Sequence, residues 1–220
     1  MKIDQITLTH VRVPLVEPFR ISSGEIAEKD AILVGVFGEG LVGYGESSPM
    51  SGTFYSDETP ESAWNCLTDE LIPRVLRSAP GSIGEVNSSL DQTKGNAFAK
   101  AGMETAFWDL EAQKGRKPLH ALLGSDRKQV ESGLAVGIYP TIRELLLAMD
   151  KYLVEGYKRV KIKIQPGWDM KPLSEVRGEF GTIPLMVDAN CAYTRKDLDH
   201  LKGLDDFDLI MVEQPLAKDD

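Results

Sequence analysis

Four short apolar pentapeptides recur in the second half of the chain at a fixed interval, and this period constrains the fold more than any other feature. They are Ala135-Val136-Gly137-Ile138-Tyr139, Val160-Lys161-Ile162-Lys163-Ile164, Leu185-Met186-Val187-Asp188-Ala189 and Ile210-Met211-Val212-Glu213-Gln214, with first residues 25 positions apart. Strand-like runs alternating with longer segments of helical spacing predict β/α units around a parallel sheet. The intervening punctuation agrees. Thr141 can cap a helix carrying Leu145, Leu146, Leu147, Met149 and Leu153, with Gly156 near its end. Residues 168–180 have helical apolar spacing and are followed by Gly181, and Thr194 opens a third helix carrying Leu198 and Leu201, with Gly203 at its close. Hydroxyl side chains at helix starts and glycines at helix stops satisfy backbone groups left unpaired there.

The fourth place in each pentapeptide reads Ile138, Lys163, Asp188 and Glu213. Ionisable groups at the ends of apolar strands are costly unless they pair, bind metal or do chemistry. The C-terminal ends of the strands are also where a β/α barrel builds its active site. Lys161 and Lys163 are two apart, so they share one face of their strand. Side-by-side ammonium groups disfavour each other's charge, and at least one is expected to have a lowered pKa that suits it to act as a base near neutral pH. Asp188 and Glu213 offer hard oxygen ligands to a divalent cation such as Mg²⁺, with at least one further oxygen ligand needed. A lysine base beside such a cation fits removal of the weakly acidic proton next to a carboxylate.

The first half has a different grammar. Residues 1–46 read as a β-meander: Ile3, Ile6 and Leu8 alternate, residues 31–37 form a second apolar run, and Gly38-Glu39-Gly40 turns the chain into residues 41–46. Helices follow. Thr59 and Pro60 mark a start, without a full capping box because Ser62 stands where Glu or Gln is usual. A stripe from Ala63 to Leu76 then continues the helix, with Pro73 expected to kink it. Another helix is expected from about Phe98 to Lys114. The predicted fold is a small α+β domain over residues 1–127, followed over 128–220 by the first four β/α units of a TIM-like barrel. The segments 18–24 and 51–56 read as loops of a kind that can close over a small ligand.

Composition excludes some functions. The chain carries 34 acidic and 25 basic residues, a net charge of −9, with no long Lys/Arg run, so neither nucleic acid nor a membrane is an expected partner. Cys66 and Cys191 lie far apart in no metal-type spacing, and Cys191 is expected to be a buried free thiol. No stretch approaches a signal peptide or membrane span, which predicts a cytoplasmic protein. His10, His120 and His200 are scattered and read as structural or surface residues. Gly35, Gly38 and Gly40 lack the strand-to-helix context of a phosphate-binding loop.

The motifs Lys161-Ile162-Lys163, Asp188-Ala189-Asn190 and Glu213-Gln214-Pro215 together resemble the signature of the muconate-lactonising-enzyme subgroup of the enolase superfamily, whose pairing of a base with Mg²⁺ is a known pattern. The resemblance extends to residues 104–110 as the last helix of a capping domain and to Glu155-Gly156-Tyr157 before the lysine strand. Residues 18–20 and 51–56 are similar to the two specificity loops of the cap. Within the subgroup, Lys163-Ile164-Gln165-Pro166-Gly167-Trp168-Asp169 and residues 51–56 look most like o-succinylbenzoate synthases and N-acylamino acid racemases.

The resemblance implies Lys163 as acid/base and Lys161 as its electrostatic neighbour. It implies Asp188 and Glu213 as ligands of Mg²⁺, with Mn²⁺ as a substitute, and Asn190 and Gln214 as supporting polar groups. Phe19, Arg20, Ser51, Gly52, Thr53, Phe54 and Tyr55 would belong to the specificity loops. The implied activity is dehydration to o-succinylbenzoate in menaquinone biosynthesis, with N-acylamino acid racemisation or a related cycloisomerase or epimerase reaction as the alternative. Both act on a small carboxylate and share an enediolate step. The family also has a third acidic ligand and a second catalytic lysine on later strands, so these 220 residues alone are expected to be inactive or nearly so. A homo-oligomer at full length, or a complementary chain, is the expected partner, and a non-catalytic half barrel pairing with such a chain is the remaining alternative.

Overall fold

The computed structural model describes residues 2–217 and 219–220. The chain divides into two compact units, one of residues 1–16 and 27–128 and the other of residues 17–26 and 129–220.

In the first unit, β1 (Gln5–Ile21), β2 (Gly24–Gly38) and β3 (Leu41–Ser47) lie side by side in that order. β2 and β3 are antiparallel, with Gly38 opposite Leu41. The two residues between them, Glu39 and Gly40, both have positive φ, 55° and 78°. That is the type I′ pattern whose twist matches that of paired strands. The far end of the β1–β2 hairpin, residues 17–26, packs with the second unit. Residues 18–21, expected to be loop, are the end of β1, and only Ser22 and Ser23 turn.

Ile32, Val34 and Val36 alternate along β2 and are fully buried against Leu67, Leu71, Met103 and Phe107 of the helices. α1 (Pro60–Cys66) starts as expected at Thr59, but its capping box is complete after all. Ser62 Oγ accepts from the Thr59 amide at 2.9 Å, and Thr59 Oγ1 accepts from the Ser62 amide at 3.2 Å. A serine hydroxyl reaches the position a longer side chain usually fills. The stripe then runs through a π-helical turn, Leu67–Leu71, into α2 (Ile72–Ser78). Proline has no amide hydrogen and crowds the carbonyl four residues back. The wider turn before Pro73, in which the Ile72 amide bonds to Leu67 O, lets the helix pass it without stopping. α3 (Ile83–Leu90) had no counterpart in the sequence reading. α4 (Ala97–Lys114) begins at Asn96 in a left-handed conformation, and the Glu58 carboxylate caps it from outside by accepting from the Phe98 and Ala99 amides at 3.0 and 3.2 Å. The short α5 (Leu119–Leu122) ends this unit.

β3 meets α4 at glycines. A Cβ built on Gly45 would lie 2.1 Å from Gly102 O, and one on Gly43 would lie 2.2 Å from Ala106 O. Strand and helix backbones therefore touch, which only residues without a side chain permit.

The second unit holds β4 (Gly133–Val136), β5 (Arg159–Lys163), β6 (Leu185–Asp188) and β7 (Met211–Glu213) as a parallel sheet in chain order. α6 (Ile142–Val154) and α7 (Met170–Phe180) connect the first three strands, and Thr141 and Asp169 are their N-caps. The third connection is less regular than expected. Thr194 caps a 3₁₀ turn that passes through α8 (Leu198–Leu201) into a second 3₁₀ segment running beyond Gly203 to Phe207. Val160, Ile162 and Ile164, with Leu185, Val187 and Ala189, form the buried face against Leu145, Met149, Leu173 and Val176. Met211 and Val212 of the edge strand β7 stay exposed. No helix among the described residues is long and apolar enough to cross a membrane.

The strand register corrects one reading. β5, β6 and β7 pair at an offset of 25, but Gly133 stands opposite Arg159, an offset of 26. Continued by one pair beyond Val136 and Ile162, that register sets Gly137, not Ile138, level with Lys163. The first strand thus presents no side chain at the charged level, and Ile138 is buried.

Gly45→Ala is expected to lower stability by about 1–3 kcal/mol through forced overpacking, read as a fall in the urea midpoint. An unchanged midpoint would contradict the backbone contact between β3 and α4.

Candidate active site

Because successive strand residues point to opposite faces, burying Val160, Ile162 and Ile164 under the helices sends Lys161 and Lys163 to the other side. Parallel pairing then lines up two rows. Ala135, Lys161, Met186 and Met211 form the lower one, and Lys163, Asp188 and Glu213 stand level at the C-terminal ends.

The charged groups pair closely. Lys163 Nζ donates to Asp188 Oδ2 at 2.6 Å and to Asn190 Oδ1 at 2.9 Å. Lys161 Nζ donates to Glu213 Oε2 at 2.7 Å and lies 3.3 Å from Asp188 Oδ2. Asp188 Oδ1 accepts from the Asn190 amide at 2.9 Å. Lys163 and Asp188 are 7% and 1% exposed, so both charges depend on these partners.

The expected lowered lysine is not what this geometry produces for Lys161. Burial alone would lower its pKa, but the Glu213 hydrogen bond and the charge of Asp188 outweigh that and hold it above its ordinary value. Burial likewise works to raise the Asp188 carboxyl. The Lys163 hydrogen bond, the Asn190 amide and both lysine charges overcome it, and the carboxyl sits below its usual range. Lys161 and Lys163 are neighbours along the chain, whereas the carboxylates that outweigh their repulsion arrive from the strands beyond.

Asn190, Cys191 and Gln214, just past the ends of β6 and β7, have φ of 45°, 63° and 43°. Left-handed non-glycine residues cost energy and concentrate at functional sites. The Cys191 amide donates to Gln214 O at 2.7 Å and the Tyr193 amide to Pro215 O at 3.0 Å, so the two strand ends stay laced together beyond the sheet. Gln214 enters this network through its backbone, and its side chain is exposed. Cys191 is a free thiol, half-buried rather than buried, and Cys66 is the buried one.

The hairpin tip reaches the same strand ends. Arg20 O accepts from the Ile138 amide at 2.9 Å, and Ser22 Oγ donates to Ala189 O at 2.9 Å. A Cβ on Gly137 would lie 2.9 Å from Arg20 O, so the absent side chain makes room for the tip. Phe19 and Arg20 line a cavity of about 280 Å³ with Glu17, Ile138, Tyr139 and Tyr152. Glu17 Oε1 accepts from both tyrosine hydroxyls, at 3.0 and 3.1 Å.

Ser51, Gly52, Thr53, Phe54 and Tyr55 belong to the first unit. There β2 holds the start of their loop. Lys29 donates to Pro49 O at 3.2 Å and also to Ser48 O, and the Ser51 hydroxyl donates to the buried Asp30. Asp30 also accepts from His10 at 2.8 Å and Arg12 at 3.1 Å. Asp30 stands just before the apolar run of residues 31–37, in a charged stretch with Glu28 and Lys29 that does not mark it out in the sequence.

Among the described residues, no group of three or more His, Cys, Asp and Glu side chains could hold a metal ion. Asp188 and Glu213 do converge closely enough to share the Lys161 ammonium, which makes them a fitting part of the ligand set of a hard divalent cation.

An α+β unit joined to parallel β/α strands, with lysines and carboxylates at their C-terminal ends, is the arrangement of an enolase-superfamily chain. Residues 3–124 match the mandelate racemase / muconate lactonizing enzyme N-terminal domain, and residues 144–220 match the enolase C-terminal domain-like model. The chain belongs to the mandelate racemase / muconate lactonizing enzyme family. It is 42% identical to an o-succinylbenzoate synthase from Geobacillus stearothermophilus, over 100% of this chain and 59% of that protein. It is 40% identical to an N-succinylamino acid racemase from Amycolatopsis sp, over 100% of this chain and 60% of that protein. The structure of an enolase-superfamily member from Listeria innocua superimposes with a TM-score of 0.92 at 34% identity, covering 99% of this chain and 59% of that one. The chain thus spans about 60% of the length of the curated relatives it matches.

The ion pairs set a pH dependence. The depressed Asp188 contributes stability that is present above its unfolded pKa of about 3.9 and is lost as pH falls through the folded value. The raised Lys161 contributes stability that is present below about 10.4 and is lost as pH rises through the folded value. Unfolding free energy measured against pH in a chelating buffer is expected to fall at both extremes. Asp188→Asn should flatten the acid limb and Lys161→Met the alkaline limb, and unchanged limbs would contradict the pairing.

Proposed function

We propose that the chain supplies part of an enzyme that abstracts the proton next to the carboxylate of a small substrate and passes through an enediolate. The observation carrying this reading is Lys163, held at a strand end among Asp188, Asn190 and the Lys161–Glu213 pair. Lys163 in its amine form takes the α-proton, and the bonding pair moves toward the carboxylate oxygens. Lys161, its neighbour on the same strand face, stands as a positive charge beside the developing anion. Asp188 and Glu213 would hold Mg²⁺, or Mn²⁺ in its place. Bound there, the ion would supply positive charge to the carboxylate oxygens. Phe19 and Arg20 are the proposed contacts to the rest of the substrate.

Within this class we favour syn dehydration to o-succinylbenzoate, in which Lys163 returns its proton to the departing hydroxyl and water leaves. Three relatives at 40–42% identity bear that name. Racemisation of an N-acylamino acid is the second reading, favoured by relatives named N-succinylamino acid racemase, such as those at 40% and 39% identity. Both begin with the same proton abstraction.

The protein expressed from its own gene, assayed with both substrates side by side, is expected to turn over at least one, with loss of activity in EDTA and recovery with Mg²⁺. Lys163→Ala should reduce turnover by roughly 10²–10⁴-fold. Metal-independent turnover, or full activity in Lys163→Ala, would sink the reading.

A further inference from the structure

Asp169 closes the Pro166-Gly167-Trp168-Asp169 segment and is used by nothing in the proton chemistry, yet it is 5% exposed and bonded on every side. Its Oδ1 accepts from the Met170 amide at 2.7 Å at the start of α7. Its Oδ2 accepts from the Tyr193 hydroxyl at 2.8 Å and lies 2.7 Å from His200 Nε2. The Tyr193 and His200 rings stack with centroids 6.3 Å apart. Tyr193 is 3% exposed and ends the turn of residues 190–193, in which Asn190 and Cys191 are left-handed. Asn190 is the residue whose side-chain oxygen accepts from Lys163.

We propose that Asp169 is a positioning residue: by gripping Tyr193 and His200 from the start of α7, it fixes the strained 190–193 turn that presents Asn190 to the Lys163 ammonium. Left-handed conformations at two successive non-glycine residues persist only when the surroundings over-determine them. The backbone bonds to Gln214 and Pro215 hold one side of this turn. A buried carboxylate with two side-chain partners holds the other, and charge-assisted bonds of this kind are the stronger sort. Asp169 stands six residues after Lys163 in sequence, so the β5–α7 connection runs from the lysine to the anchor of its hydrogen-bond partner.

The functional meaning rests on Lys163 being the acid/base group, but the geometry can be tested without turnover. Hydrogen exchange and the Asn190 side-chain amide NMR signals are measured in Asp169→Asn, in Tyr193→Phe as a milder second variant, and in Lys163→Met as the reference for a lost Asn190 contact. The expected result is exchange roughly tenfold faster at the Cys191 and Tyr193 amides, with the Val187 amide in β6 unchanged. The Asn190 signals should move toward those of Lys163→Met. Three results would overturn the proposal: unchanged exchange, a uniform rise that includes Val187, or faster exchange with Asn190 signals still at their original positions. Absence of carboxylate turnover would instead count against the proton-abstraction reading and would leave these signals where they are.

Discussion

The parallel register that sets Lys163 beside Asp188 and Asp188 beside Glu213 is the constraint on which the rest of the second unit depends. A slip of one residue on β5 or β6 would turn its charges into the helix-packed core and its valines outward. The apolar face and the charged face therefore enforce the same alignment. Buried charges are tolerable only when paired and hydrogen-bonded. Here two cations, two anions and an asparagine satisfy one another within 3.3 Å. The cluster is both the costliest feature of the sheet and the one that specifies it most sharply.

Around the cluster, backbone does the positioning. The chain turns left-handed at Asn190, Cys191 and Gln214, which carries each strand end out of the sheet while cross-bonds to the neighbouring segment continue. Gly137 leaves its level of the sheet empty, and the β1–β2 hairpin tip fills that space with Arg20. On the outer side, Arg177 ties the end of α7 to the next connection by donating to Gly181 O, Ile183 O, Phe207 O and Asp208 O. These contacts fix the helices that bury the opposite face of the same strands.

The clustering of these side chains was legible in the sequence because the charged residues are periodic. Lys163, Asp188 and Glu213 recur at the strand interval, and that interval is the true register for three of the four strands. It failed at the first strand, where one extra residue shifts the pairing. Five-residue windows cannot detect such a shift when Val136, Gly137 and Ile138 fit a strand in either phase. Lys161 shows the other limit. Neighbours along the chain argue for a lowered pKa, while neighbours in space, Glu213 and Asp188, raise it. Cues that depend on a single hydroxyl or carboxylate arriving from elsewhere also escaped: Ser62 completing a cap, Glu58 capping a helix 40 residues on, and Asp169 gathering Tyr193 and His200. The hairpin tip read as a loop because Pro18, Ser22, Ser23 and Gly24 are turn residues by composition, although only two residues turn.

The central claim is that Lys163 and its carboxylate partners form a site for removing a proton next to a carboxylate. The most direct test is NMR in D₂O with Mg²⁺ and the protein expressed from its own gene, following o-succinylbenzoate formation from the dehydration substrate and, in parallel, deuterium wash-in at the α-carbon of an N-succinylamino acid. The account predicts at least one of the two reactions, slowed roughly 10²–10⁴-fold in Lys163→Ala. Neither reaction, or either one persisting in Lys163→Ala at the original rate, would contradict it.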